Sequence, residues 1–316
     1  MTRSEPDNPT KDLLHLGQDL AAVLRAACSR AGLDDADARL IHHYANVVCL
    51  LPAERVVARI ARDGQVGRVQ TALHLARWLT DVHGYPATAP LPSLEPVVVD
   101  DSTVVTFWAY YPQPPGVVSP DSAHLGRLVR RLHQLPTPPV NLPLPVWQPL
   151  RSLEALVTGP NGSAALSRGD QRWLLNRIDE VRRDLAALDW PLGFTTIHGD
   201  AWAGNLLWDT AATDVPVRLG DWDTACHGPR EVDLIPSWHA AVRYGRGPQW
   251  AEAFALAYGY DLSAWDDGFP ILFAMRDLVQ LAGPLRRAAD ESTFAAAVQQ
   301  RLDGIKAGDH SRWREF

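Results

Sequence analysis

The run Ile197-His198-Gly199-Asp200-Ala201-Trp202-Ala203-Gly204-Asn205-Leu206-Leu207-Trp208, followed by Gly220-Asp221-Trp222-Asp223-Thr224-Ala225, decides how this chain is read. Thr195-Thr196-Ile197 is a short β-branched run suited to a buried strand end, and Gly199 lets the backbone turn sharply out of it. Asp200 is thereby presented on a loop. A carboxylate there is able to accept a hydrogen bond from a substrate hydroxyl and take its proton, while Asn205 offers a neutral oxygen to a hard cation from the far end of the same loop. Val215-Pro216-Val217-Arg218-Leu219 then alternates as a strand and delivers Asp221, whose charge suits a Mg²⁺ ion bridging phosphate oxygens. Two carboxylates and an amide in this order are the groups needed to hold a metal on a nucleotide and to orient an attacking hydroxyl.

The ordered pair of motifs, about 20 residues apart and continued by Asp233-Leu234, resembles the aminoglycoside phosphotransferase family, relatives of choline kinase with a protein-kinase-like fold. The resemblance is clearest over residues 195–235. It implies Asp200 as catalytic base, Asn205 and Asp221 as Mg²⁺ ligands, and His198 and Asp233 as braces of the loop. It also implies an α+β fold of two lobes, a small β-rich amino lobe and a larger, mainly helical carboxy lobe. Residues 1–111 would carry N-terminal helices and the nucleotide-binding lobe, and residues 112–316 the catalytic loop, the metal-binding loop and the acceptor site. The expected activity is phosphoryl transfer from ATP, or another nucleoside triphosphate, to a hydroxyl of a small molecule, an antibiotic such as an aminoglycoside being one acceptor. Neither the acceptor, nor ATP against GTP preference, nor oligomeric state is written in these residues.

Along the chain, residues 11–31 place Leu13, Leu16, Leu20, Val23 and Leu24 at helical intervals before Gly32, and Asp34 or Asp35 is positioned to cap a second helix. Residues 46–51 and 55–60 then read as a hairpin around Pro52-Ala53-Glu54. No glycine-rich phosphate loop precedes its second strand. Arg59 lies where the kinase pattern puts a strand lysine, and its guanidinium suits phosphate. The helical pattern from Arg68 to Thr80 contains no glutamate to pair with it, leaving Gln70 or His74 as replacements. A second hairpin over residues 97–108 exits through Ala109-Tyr110-Tyr111-Pro112. By the resemblance this is the hinge that recognises adenine, through the Ala109 carbonyl and the Tyr111 N–H.

Beyond it, residues 125–135 form an amphipathic pattern in which His133 reads as a helix-end hydrogen-bonding group. The proline-rich segment 136–148 reads as an irregular wrap over the carboxy lobe. Ser167-Arg168-Gly169-Asp170 resembles a capping box opening a helix to Leu188, with further helices at about 231–245, 248–259, 270–290 and 292–306. Asp223, Glu231, Asp261, Asp266 and Asp267 are carboxylates able to hold a cationic acceptor, Asp223 being also close enough in sequence to Asp221 to assist the metal.

Hydrophobic residues at 46% and charged residues at 21% suit a globular enzyme, with no composition typical of disorder. A net charge of −7 argues against general nucleic-acid binding, and no apolar stretch has membrane-spanning length, so a cytoplasmic protein without membrane partners is expected. The three cysteines, Cys28, Cys49 and Cys226, are too few and too scattered for a disulfide framework and read as unpaired thiols. Two other readings remain open: a metal-dependent hydrolase built on His198, Asp200, Asp221, Asp223, His227 and His239, and a nucleotide-binding regulatory module without transfer activity.

Overall fold

Val and Ile alternation between residues 47 and 109 builds most of a six-stranded antiparallel sheet. The computed structural model describes residues 11–12, 18–43, 46–62, 66–213 and 216–314. They divide into two compact units, the first covering Met1–Val118, Pro138–Pro143 and Leu207–Thr224, the second Ser119–Thr137, Leu144–Leu206 and Ala225–Phe316. This interleaving differs from a single boundary after residue 111. The turn carrying Asp221 joins the β-rich unit because Leu219 exchanges backbone hydrogen bonds with Pro86 and Thr88 at 2.9 Å each.

In the first unit the strands β1 (Lys11–Asp12), β2 (Arg39–His43), β3 (Val47–Leu51), β4 (Val56–Ala61), β5 (Val97–Val98) and β6 (Val104–Ala109) lie in the order β1-β2-β3-β4-β6-β5. Both expected hairpins are present. Helix α1 (Gln18–Ala31) sets Leu24, Ala27 and Cys28 against Cys49, Ala58, Ile60, Val105 and Phe107, so one sheet face is sealed by apolar side chains. Strand alternation sends Arg59 to the opposite face, in register with Val48 on one side and Thr106 on the other. Helix α2 (Val66–Arg77) ends in a π turn over Trp78–Val82.

Two local expectations are corrected here. The helix expected from residue 11 starts at Gln18 and is preceded by β1, while Leu13 and Leu16 lie outside the described residues. Asp34 and Asp35 cap no helix: Asp34 Oδ1 instead accepts from the Ala36 N–H at 2.9 Å in a turn that leads into β2, whose register slips between Leu40 and His42 as it pairs with β3.

The second unit is mainly helical. Helix α3 (Ser122–His133) is opened by Asp121, which accepts from the His124 N–H, and it packs on α8 (Pro248–Tyr258) at a close crossing. Gly126 permits that approach, since a Cβ there would lie 2.6 Å from the Phe254 carbonyl. Residues 144–148 do not simply wrap. Val146 bridges His227, so the segment extends the two-stranded sheet of β7 (Phe194–Ile197) and β10 (Cys226–Pro229). Two short helices that periodicity did not foresee, α4 (Arg151–Thr158) and α5 (Pro160–Ala165), precede α6 (Arg168–Ala186), whose N-terminus Ser167 caps through the Asp170 N–H at 3.1 Å. Helices α7 (Ile235–Arg243), α9 (Phe269–Val279), α10 (Ala282–Leu285) and α11 (Ser292–Ala307) complete the unit. Among the described residues no helix is long and apolar enough to cross a membrane. All three cysteines are buried and unpaired, and burial raises Cys28 and Cys226 to about 12 and Cys49 to about 11, far from the reactive range.

Candidate active site

Asp200 follows β7 directly. Gly199, at φ +80°, makes the turn that the sequence assigned to it, and the buried carboxylate of Asp233 pins the loop at that glycine and at the residue before it. Asp233 Oδ2 accepts from the His198 N–H at 2.6 Å, and Oδ1 accepts from the Gly199 N–H at 2.7 Å. The His133 ring stands 3.1 Å from the same Oδ2 through Nε2, and its Nδ1 is 2.9 Å from the Tyr258 hydroxyl. The expected brace is therefore present at Asp233, and it runs on through His133, the helix-end hydrogen-bonding group expected from the sequence, whose partner was not foreseen. His198 itself is fully buried.

Within the same loop Asn205 donates its amide to the Asp200 carbonyl at 3.0 Å, which commits the NH₂ and leaves the oxygen as the end suited to a hard cation. Asp200 keeps 36% of its side chain exposed, and its Oδ1 accepts from Arg276 Nη1 at 2.7 Å. Arg276, on α9, was not foreseen. Its signal was present, however: Arg276-Asp277 is the one charged pair inside the apolar run Phe269-Pro270-Ile271-Leu272-Phe273-Ala274-Met275 and Leu278-Val279.

In the first unit Arg59 meets two carboxylates. Its Nη1 donates to Asp223 Oδ1 at 2.7 Å, its Nη2 donates to Asp223 Oδ2, and the same Nη2 reaches Asp221 Oδ1 at 3.1 Å. Burial works against the Arg59 charge, but the Asp223 charge overrides it and raises the guanidinium above its usual value. For Asp223 burial likewise opposes ionisation, and Arg59 together with Arg68 and a hydrogen bond from Asn46 holds the carboxyl below its ordinary range. Arg68 Nε also donates to the Asp223 carbonyl at 2.6 Å. These contacts correct two expectations. Asp223 is not an available carboxylate for a cationic acceptor, and neither Gln70 nor His74 stands in for the absent helix glutamate, since His74 pairs with Glu95 at 3.0 Å and Gln70 is exposed. Arg59 takes its carboxylate from the Asp221 turn instead.

Asp221 remains 53% exposed and sits at φ +61°, a conformation that costs a non-glycine residue on the order of 1 kcal/mol. Trp222 holds the turn in place: it is buried, donates Nε1 to the Leu219 carbonyl at 3.0 Å, and meets Tyr85 edge to face at 5.8 Å. At the end of β6 the Ala109 N–H donates to the Ala89 carbonyl at 2.9 Å, and the Ala89 N–H is taken by the Tyr111 hydroxyl at 3.1 Å. Ala109 ends β6, which pairs with β4, the strand that carries Arg59.

Two of the remaining carboxylates, Glu231 and Asp261, are engaged elsewhere. Glu231 is buried, accepts from the Leu192 N–H at 2.7 Å, and is raised by burial. Asp261 caps a turn through the Ser263 N–H at 2.9 Å, whereas Asp266 and Asp267 are exposed. His239 lies 2.9 Å from Asp277, and His227 stacks on Phe194 at 6.2 Å, so the hydrolase set is dispersed over different partners. Among the described residues no three His, Cys, Asp or Glu side chains converge as a metal-binding group.

Residues 37–268 match the model of the phosphotransferase enzyme family. No curated protein sequence matches the chain. Among solved structures, a microcompartment-associated aminopropanol kinase is similar with a TM-score of 0.68 at 17% identity, over 91% of this chain and 95% of that one. A spectinomycin phosphotransferase in complex with ADP and spectinomycin is similar with a TM-score of 0.61 at 14% identity, over 95% of each chain. A choline/ethanolamine kinase family protein from Mesorhizobium loti gives 0.58 at 19% identity, over 92% of this chain and 93% of that one. At these identities the solved structures speak for the fold, which is the expected α+β kinase-like one.

Proposed function

We propose that this chain, which belongs to the phosphotransferase enzyme family, transfers the γ-phosphoryl group of ATP to a hydroxyl of a small molecule, with Asp200 as the base. The observation that carries the reading is the partly exposed Asp200 carboxylate, on a loop fixed from beneath by Asp233. In the transfer step Asp200 accepts the hydroxyl proton as the acceptor oxygen bonds to the γ-phosphorus. The bond from that phosphorus to its bridging oxygen breaks, and the electron pair leaves on the nucleoside diphosphate.

Arg59 would serve the nucleotide phosphates, and the Ala109 carbonyl and Tyr111 N–H would read the adenine edge. Asn205 and Asp221 would hold Mg²⁺, for which an amide oxygen and a carboxylate are fitting hard donors, the Asn205 NH₂ being already committed to the loop. When bound, the metal would neutralise charge on the phosphate oxygens. Arg59 must then exchange part of its contact with Asp221 and Asp223 for phosphate, a guanidinium being suited to either partner. A cytoplasmic setting, where ATP is supplied, belongs to the same proposal.

The acceptor class we favour is a hydroxylated amine or antibiotic, in keeping with the aminopropanol and spectinomycin of the similar structures. The test incubates the chain with MgATP or MgGTP and a panel of amino alcohols, sugars, aminoglycosides and macrolides, and measures nucleoside diphosphate release and product mass. A product heavier by one phosphoryl group supports the reading. Tight MgATP binding with no product from any acceptor would favour the regulatory module.

A further inference from the structure

Arg276 is buried, with 8% of its side chain exposed, yet it delivers a full positive charge to the one carboxylate on which the transfer reading depends. A buried guanidinium needs its donors satisfied in fixed directions, and Arg276 has two partners that face each other across its plane. Nη1 donates to Asp200 Oδ1 at 2.7 Å. On the other edge Gln280, the residue that caps the C-terminus of α9, accepts from Nη2 at 2.8 Å and from Nε at 3.2 Å when its amide oxygen is turned toward the arginine. The Gln280 NH₂ then donates to the Tyr244 hydroxyl at 2.9 Å, so the arginine's seat is itself anchored to the end of α7.

We infer that Arg276 is a positioning residue for Asp200, holding Oδ1 so that Oδ2 is the oxygen presented to the acceptor hydroxyl. The inference rests on the transfer reading above and adds a residue that neither motif contains. A carboxylate on a loop has a freely rotating terminal torsion. A guanidinium seated from behind by Gln280 removes that freedom and fixes which oxygen faces the acceptor. The other charged and titratable groups packed around this pair do not replace it. Asp277 is committed to His239 and Arg243, His239 is neutral because burial lowers it to about 4, and Asp233 is committed to the loop backbone and His133.

The test compares unaltered chain, Arg276→Gln, Arg276→Lys and Gln280→Leu. Asp200 is followed by carbon NMR of its carboxyl, assigned by its loss in Asp200→Asn, which needs no acceptor. In Arg276→Gln at fixed pH the Asp200 carboxyl resonance is expected to move, because the charged donor to Oδ1 is lost. With it kcat should fall roughly 10- to 100-fold, while KM for the acceptor and MgATP affinity stay within about twofold. Arg276→Lys should restore part of kcat, since an ammonium donates to a carboxylate without the fork that Gln280 seats. Gln280→Leu, which leaves the arginine in place, should lower kcat by less with a smaller change in the resonance, and it covers the case in which Arg276→Gln does not fold. An Asp200 resonance unchanged in Arg276→Gln, or one that moves with kcat unaltered, overturns the inference while leaving the transfer reading intact. No product from the unaltered chain with any acceptor overturns the transfer reading and the inference with it.

Discussion

Asp233→Asn removes a single charge and leaves the size of the side chain unchanged, so its effect isolates what the carboxylate does for the catalytic loop. Both oxygens of Asp233 are occupied: one by the His198 N–H at 2.6 Å and His133, the other by the Gly199 N–H at 2.7 Å. An amide has one acceptor oxygen. Its NH₂ must therefore face a backbone N–H across a hydrogen-bond distance, in a place with no solvent. Losing a charge-assisted bond costs about 1.5–3 kcal/mol, and stranding a buried donor costs a further 1–3, giving roughly 2.5–6 kcal/mol. At about 2 °C per kcal/mol for a chain of this size, the melting transition should fall by about 5–12 °C. Differential scanning calorimetry measures this, with Asp266→Asn, an exposed carboxylate, as the control expected within about 1 °C. Single-turnover transfer should fall at least tenfold, because a displaced loop no longer aligns the base. A melting temperature within 2 °C of the unaltered chain, with normal transfer, would refute the claim that Asp233 holds the loop.

Asp200→Asn should keep the fold and MgATP affinity but lose about two to four orders of magnitude in single-turnover transfer, the scale of general-base catalysis; near-normal transfer would remove Asp200 from the role. Asp221→Ala and Asn205→Ala should each weaken Mg²⁺-supported ATP binding in calorimetric titration while leaving metal-free binding nearly unchanged, because each loses an oxygen donor. Stability should decline as pH falls from about 6.5 to 4: folded His239 is lowered to about 4, so across that window the unfolded chain binds a proton that the folded chain does not, a difference of about 3 kcal/mol. Below that window Asp277, whose folded carboxyl is also lowered, adds to the loss, and His239→Gln should flatten the 6.5-to-4 slope in urea titrations at fixed pH. Gly126→Ala places a methyl 2.6 Å from the Phe254 carbonyl, so α3 and α8 must separate and stability should drop by about 1–3 kcal/mol in denaturant titration.

What could be seen in the sequence was what is local. The hairpin that carries Arg59 was legible because alternation over five or six residues specifies both strand and face, and Gly199 was legible because a sharp exit from a strand needs a positive φ. Asp34 misled because an aspartate that caps a helix and one that closes a turn offer the same side-chain oxygen; only the strand pairing that follows distinguishes them. The partners of the site residues were hidden for a different reason. Asp223 lies 164 positions from Arg59, His133 lies 100 from Asp233, and Arg276 lies 76 from Asp200, and no periodicity links residues so far apart. Yet each of these distant partners is a charged or titratable group in a buried place, and such a group is retained only where something satisfies it. Arg276 and Asp277 inside an apolar helix already pose that question in sequence form. The fold answers it twice over, sending Arg276 to the proposed base and Asp277 to His239 and Arg243, so that adjacent residues of one helix serve the chemistry on one side and the stability of the helical unit on the other.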